Sequence, residues 1–190
     1  MTVTDNAWVA AQTLTNACGV SPKVSVYSDE AGSQSVDMAL FADCPAAGLS
    51  TIGTVSLSDH HVGLEHGLRI EIVAVFPSAA GAFPQALAGS AIATIGQAWR
   101  IRRGAVHPDI LRMYDLSDTL EHLLFVKPYL WGQALDPVVC GAYTIAWLLA
   151  VPISEAERAY AEQHSAIALE DLFAAHKIDI TDLNRASVVS

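Results

Sequence analysis

The run Tyr143-Thr144-Ile145-Ala146-Trp147-Leu148-Leu149-Ala150-Val151-Pro152-Ile153, followed by Ser154-Glu155-Ala156-Glu157-Arg158, decides the fold. Its first part is uncharged and rich in aromatic and branched residues, which reads as a buried strand. Pro152 brings no N–H and is expected to end the ladder. Ser154 and Glu157 stand at capping-box spacing, where each side chain can satisfy one free N–H of a new helix. A central strand therefore delivers an acidic helix at a fixed place. Nothing in this stretch resembles catalytic chemistry; it reads as a frame that displays a surface.

Working outward, Trp8, Ala11, Thr15 and Cys18 recur at helical spacing behind Asp5, a candidate cap. Lys23 to Ser28 and Val36 to Ala42 read as a hairpin of two strands around Gly32. Leu49 to Leu57 predicts a third strand, and Ser58 to Gly67 a polar loop. Leu68 to Phe76 is the clearest strand, with Leu68, Ile70 and Ile72 on one side and Arg69 and Glu71 on the other. Phe83 to Trp99 predicts a long helix with Pro84 in its first turn. Arg100, Arg102 and Arg103 then fall in its last turn, where cations suit the helix dipole. Residues 104 to 119 read as irregular, Leu120 to Leu130 as a strand, and Gly132 to Gly141 as loop. A second helical piece runs through Phe173, and Ser187 to Val189 reads as an edge strand. This order is not a strict alternation of strand and helix. It predicts an α/β (α+β) fold with a mixed, largely antiparallel sheet flanked by helices, and one domain over residues 1–190.

The chain has 20 acidic and 10 basic residues, a formal net charge of −10. Such a surface repels a phosphate backbone, which argues against nucleic acid and for a basic protein partner. The apolar share of 52% is enough for a sizeable core. The nearly uncharged run from Leu135 to Ser154 is broken by Asp136, Pro137, Gly141 and Pro152 and falls short of the roughly 20 apolar residues a membrane span needs. Residues 1–8 show no secretory signal, and Cys18, Cys44 and Cys140 lack disulfide-framework or zinc spacing. These features predict a cytoplasmic protein with reduced cysteines and no cofactor.

His60, His61 and His66 are the metal candidates, with Asp59 and Glu65 to assist. Their spacing suits no helical ligand pair, and Gly63 and Gly67 make the segment a loop. No stoichiometric metal and no catalytic residue are expected. Glu71 either faces water or is a buried carboxylate with a raised pKa. No phosphate loop, dinucleotide fingerprint or Gly-x-Ser-x-Gly elbow is present. The candidate partner contacts are the acidic helical residues Glu155, Glu157, Glu162, Glu170 and Asp171, together with Trp131 in its loop.

Several pieces in order resemble the Suppressor of fused family in its bacterial form. Ser50-Thr51-Ile52-Gly53-Thr54-Val55-Ser56-Leu57-Ser58 resembles its T-x-G-x-S strand before a loop. Leu68-Arg69-Ile70-Glu71-Ile72-Val73 resembles its R-x-E-L strand, with Ile72 for Leu. Leu123 to Pro128 is similar to its apolar run ending in proline. Leu149 to Glu157 is similar to its P-I-x-x-x-E entry to the last helix. Asp182-Leu183-Asn184-Arg185-Ala186-Ser187-Val188-Val189 resembles its closing D-x-x-R-x-S-V tail. In one departure, Arg102-Arg103-Gly104-Ala105 stands where that family often has a Trp-x-Gly-Asp-like segment. The resemblance implies a binding protein, not an enzyme, and for bacterial members an immunity protein that neutralises a toxin. Its partner would be a protein, such as a basic toxin domain. Two other readings are a small hydrolase using the histidine loop and an adaptor that adds a peptide strand to a sheet edge.

Overall fold

The computed structural model describes residues 3–64 and 67–189. Helix α1 (Asp5–Cys18) is followed by strands β1 (Lys23–Ser28), β2 (Ser35–Ala42), β3 (Leu49–Thr54) and β4 (Leu68–Pro77). Helix α2 (Phe83–Ile95) leads to β5 (Val106–His107), β6 (His122–Val126), β7 (Val138–Cys140) and β8 (Tyr143–Ile153). Helices α3 (Glu155–Gln163) and α4 (Ala166–His176) follow. The eight-stranded sheet runs β1-β2-β3-β4-β8-β6-β5, with β7 also on β8. Of its strand pairs, β4 with β8 is parallel and the others are antiparallel. The mixed, largely antiparallel α/β architecture expected from the sequence is therefore present.

Strand β8 organises the layers because alternate residues face opposite sides. Leu148 and Ala150 join the cluster under α2, with Ile70, Ile72, Phe83 and Leu87. Ile145 and Trp147 join the cluster under α1, with Ala10, Leu14 and Phe41. Leu149, Val151 and Ile153 join the cluster under α4, with Leu169 and Phe173. So α2 covers one face, while α1 and α4 cover two halves of the other. The 3₁₀ segment Tyr129–Leu135 crosses between them, and its Trp131 packs against both clusters.

Several expectations are corrected. Helix α1 is capped by Thr4, whose hydroxyl accepts the Ala7 N–H and also reaches the Asp59 carboxylate at 2.8 Å. The buried stripe is Ala7, Ala10 and Leu14, and Trp8 is 61% exposed. Small residues let α1 lie close to the sheet. A Cβ on Gly53 would stand 2.7 Å from the Leu14 side chain. Helix α2 stops at Ile95, because Gly96 ends it and Gln97 turns to a positive φ of 59°. Arg100, Arg102 and Arg103 thus lie beyond the helix. Trp99 stacks on His107 instead of extending the stripe. Strand β6 ends at Val126, and the expected loop 132–141 contains part of a 3₁₀ segment and β7. Pro152 does not end β8. Strand β4 pairs with β8 only as far as Leu149, so at Pro152 the missing N–H faces an open side and costs no ladder bond.

The tail is not an edge strand; it closes a clamp. Arg185 donates to both Glu157 oxygens at 2.7 and 2.8 Å and to the Pro152 carbonyl at 2.8 Å. The same carboxylate accepts the N–H groups of Ser154 and Val188 at 3.0 and 2.9 Å. Ser154 accepts the Glu157 N–H, completing the capping box, and its hydroxyl donates to Ser187. Burial alone would raise the Glu157 pKa, but Arg185 and the two backbone donors outweigh it and hold the carboxyl low. Removing one partner of such a buried pair strands a charge, at a cost of roughly 3–5 kcal/mol. Arg185→Met should lower unfolding free energy by that amount in urea with an unchanged slope, and Arg185→Met/Glu157→Gln should recover part of it. A loss below about 1 kcal/mol would mean the pair is not structural.

Candidate partner-binding surface

The acidic residues expected to meet a partner divide into two groups. Glu157 is fully buried in the clamp and belongs to the frame, so it is withdrawn from the surface set. Glu155 and Glu162 are exposed on α3, but Arg158 lies between them one helical turn away and pairs with both. Arg158, with a further hydrogen bond from His122, holds the Glu155 carboxyl down at about 2. On α4, Glu170 is bonded to Arg103 at 3.2 Å, and Asp171 is exposed. Arg103 therefore braces α4 instead of capping α2.

Trp131 is half-buried between α1 and α4, while its neighbours Tyr129 and Leu130 are 51% and 44% exposed. A cavity of about 280 Å³ opens between Tyr129, Val126, Phe173, Lys177 and Ile178. A second, of about 370 Å³, lies on the α1 side of the same segment, between Leu130, Trp131, Cys18 and Cys44. The segment is thus an apolar ridge with a hollow on each side. Burial and the nearby Glu170 charge raise the Tyr129 pKa, so its hydroxyl stays protonated and able to donate.

Of the histidine loop, the described residues His60 and His61 face different hollows. His66 and Glu65 lie outside the described residues. His60 lines a hollow with Thr4, Asp37 and Asp59, whereas His61 lines a different one with Thr94, Gln97 and Arg100. Among the described residues, Asp109, Glu121 and His122 bring ligand-type atoms within 4.8 Å of one another. Both His122 nitrogens are already engaged. Nδ1 accepts the Asp109 N–H at 2.8 Å, and Nε2 bonds Glu155 at 2.9 Å. Protein dialysed after purification should therefore carry well under one zinc per chain by elemental analysis. One retained zinc per chain would contradict this arrangement.

Glu71 takes the less expected of its two readings: it is fully buried. One oxygen accepts the Ser58 N–H at 3.0 Å, and the other has no partner, like the Ser58 hydroxyl and the Trp147 indole N–H. Burial pushes its pKa up to about 7, against the hydrogen bond from Ser58 that favours the ion. A carboxyl bound more tightly by protons in the folded state destabilises the fold once ionised. Its effect is absent below the unfolded value of 4.5, grows as pH rises towards about 7, and is constant above. Glu71→Gln should match wild type in stability at pH 4 and exceed it at pH 8, by an amount on the order of 3 kcal/mol. Parallel pH curves for the two proteins would contradict this.

Known proteins place the fold. The sequence profile described as Suppressor of fused protein (SUFU) matches residues 32–186. The chain belongs to the Suppressor of fused family. Over 192 residues the chain is 36% identical to Immunity protein YqcF of Bacillus subtilis (strain 168), covering 100% of both. Among solved structures, a Suppressor of fused homologue from Neisseria gonorrhoeae FA 1090 is similar with a TM-score of 0.70 at 20% identity, covering 98% of each chain. The Sufu–Fu complex structure gives 0.68 at 11% identity, over 96% of this chain and 92% of that one. Drosophila Suppressor of Fused gives 0.64 at 13% identity, and there the match covers 51% of the longer chain. These structural likenesses speak for the fold alone.

Proposed function

We propose that this protein is an immunity protein: it binds a toxin as a folded partner and blocks it without chemistry of its own. The observation that carries this reading is the end-to-end identity of 36% with a protein named for that role. The net charge of −10 supports a basic toxin surface as the partner, since opposite charge speeds encounter and selects the partner. A Suppressor of fused structure described as a complex with Fu supports protein binding as a use of this fold. In this reading the chain acts as one domain in the cytoplasm. No helix among the described residues is long and apolar enough to cross a membrane. The contact surface would combine Glu155, Glu162, Glu170 and Asp171 with Trp131 and the ridge it belongs to.

Co-expression with its toxin, identified by pull-down with the tagged protein, tests the proposal. Growth should be rescued, and the two chains should co-purify in equal amounts. Charge reversal by Glu162→Lys/Asp171→Lys should weaken the complex about tenfold and flatten its salt dependence. Growth arrest that persists while folded protein is present would overturn the reading.

A further inference from the structure

Cys18 and Cys44 are 26 residues apart in sequence, yet the Cys44 sulfur lies 3.8 Å from the Cys18 carbonyl oxygen. Cys18 ends α1, and Cys44 sits in the turn between β2 and β3. The Cys18 thiol is pushed up to about 12, by burial first and then by the Cys44 thiol beside it. The Cys44 thiol thus reaches the backbone at the end of α1. Both line the same cavity of about 370 Å³, with Pro45, Val75, Leu130 and Trp131 as its other walls. Cys18 is half-buried and Cys44 buried, so Cys18 is the one more open to a reagent. Cys140 is buried in the same apolar cluster as Cys44 but does not line the cavity.

We propose that Cys18 and Cys44 form a thiol–disulfide exchange site that accepts small disulfides of the glutathione class and closes to an internal Cys18–Cys44 bond. Cys18 gives its proton to water, and the thiolate attacks one sulfur of oxidised glutathione. The glutathione S–S bond breaks, and one half leaves as a thiolate that takes up a proton. The other half, bound to Cys18, occupies the cavity. Cys44 then loses its proton and attacks the Cys18 sulfur. The mixed S–S bond breaks, and the second glutathione leaves and is protonated. Two protein thiols are oxidised by two electrons, and one glutathione disulfide is reduced to two thiols. Because Cys18 ionises reluctantly, the exchange is slow at neutral pH and accelerates about tenfold per pH unit between roughly pH 7 and 9. The bond would pin the end of α1 to the sheet beside Trp131. Reduced glutathione in excess reverses it.

The test is incubation of the full chain with oxidised glutathione, followed by tryptic mass spectrometry without reductant. Trypsin cuts at Lys23, between the two cysteines, so the internal bond holds two peptides together. The expected product is that cross-linked pair, lighter by two hydrogens, with Cys140 still free. The melting temperature should rise by roughly 5–10 °C, as closing a loop of this length predicts. Cys140→Ser should behave like wild type, and Cys44→Ser should stop at the glutathione adduct on Cys18. A wild-type protein that stops at the adduct, links through Cys140, or keeps both thiols free while its urea-unfolded form oxidises would overturn the proposal.

Discussion

The buried pair of Glu157 and Arg185 joins four parts of the chain that would otherwise end separately. It holds the last turn of β8 through the Pro152 carbonyl, the start of α3 through the Ser154 cap, and the tail through the Val188 N–H. It also places the guanidinium over the Phe173 ring of α4, at 5.2 Å. A bidentate arginine suits this position because its planar fork matches the carboxylate, and further acceptors take the remaining donors. Two desolvated charges are tolerable only when nearly every lone pair and proton is used, and here only the Arg185 Nε lacks a partner. The frame holds because these bonds are nearly complete, not because the pair is strong in isolation.

With that corner fixed, the position of the proposed contact surface follows from β8. One face of the strand carries α2 and the largest cluster, a continuous apolar layer with no polar purpose of its own. The other face is shared by α1 and α4, which leave a trough filled by the segment Tyr129–Leu135. Rigid walls and apolar hollows beside exposed aromatic residues are what a hot spot needs, since anchors bind best where their rotamers are already limited. The α4 carboxylate Glu170 borders this trough. Exposed Val24 and Val26 on the open edge strand β1 lie at the far end of the sheet, away from it.

Features set by local spacing were legible in the sequence. The α3 capping box, the β8 run and the alternation in β4 each depend on neighbours within a turn or a pleat. Features that depend on tertiary partners were not. The α1 stripe was read one residue late, because Thr4 wins the cap through its contact with Asp59, 55 residues away. Glu157 looked like one more surface acid, because the arginine that buries it lies 28 residues on. Glu71 alternates as an outward residue should, but α1 closes over that side of the sheet and leaves it dry. The ordered motif resemblance did carry this information indirectly: its glutamate and arginine turned out to be the two halves of the clamp. The histidine loop shows the opposite case, where residues close in sequence point into separate hollows.

Here the proposed partner is a toxin, and the proposed face is the one formed by α3, α4 and the segment between α1 and α4. Hydrogen–deuterium exchange on the chain, free and bound to its toxin, tests this most directly. Slowed exchange concentrated in residues 129–135 and in α3 and α4, with α2 unchanged, is the predicted result. A tight complex whose protection falls on α2, leaving those segments as free as in the unbound protein, would contradict it.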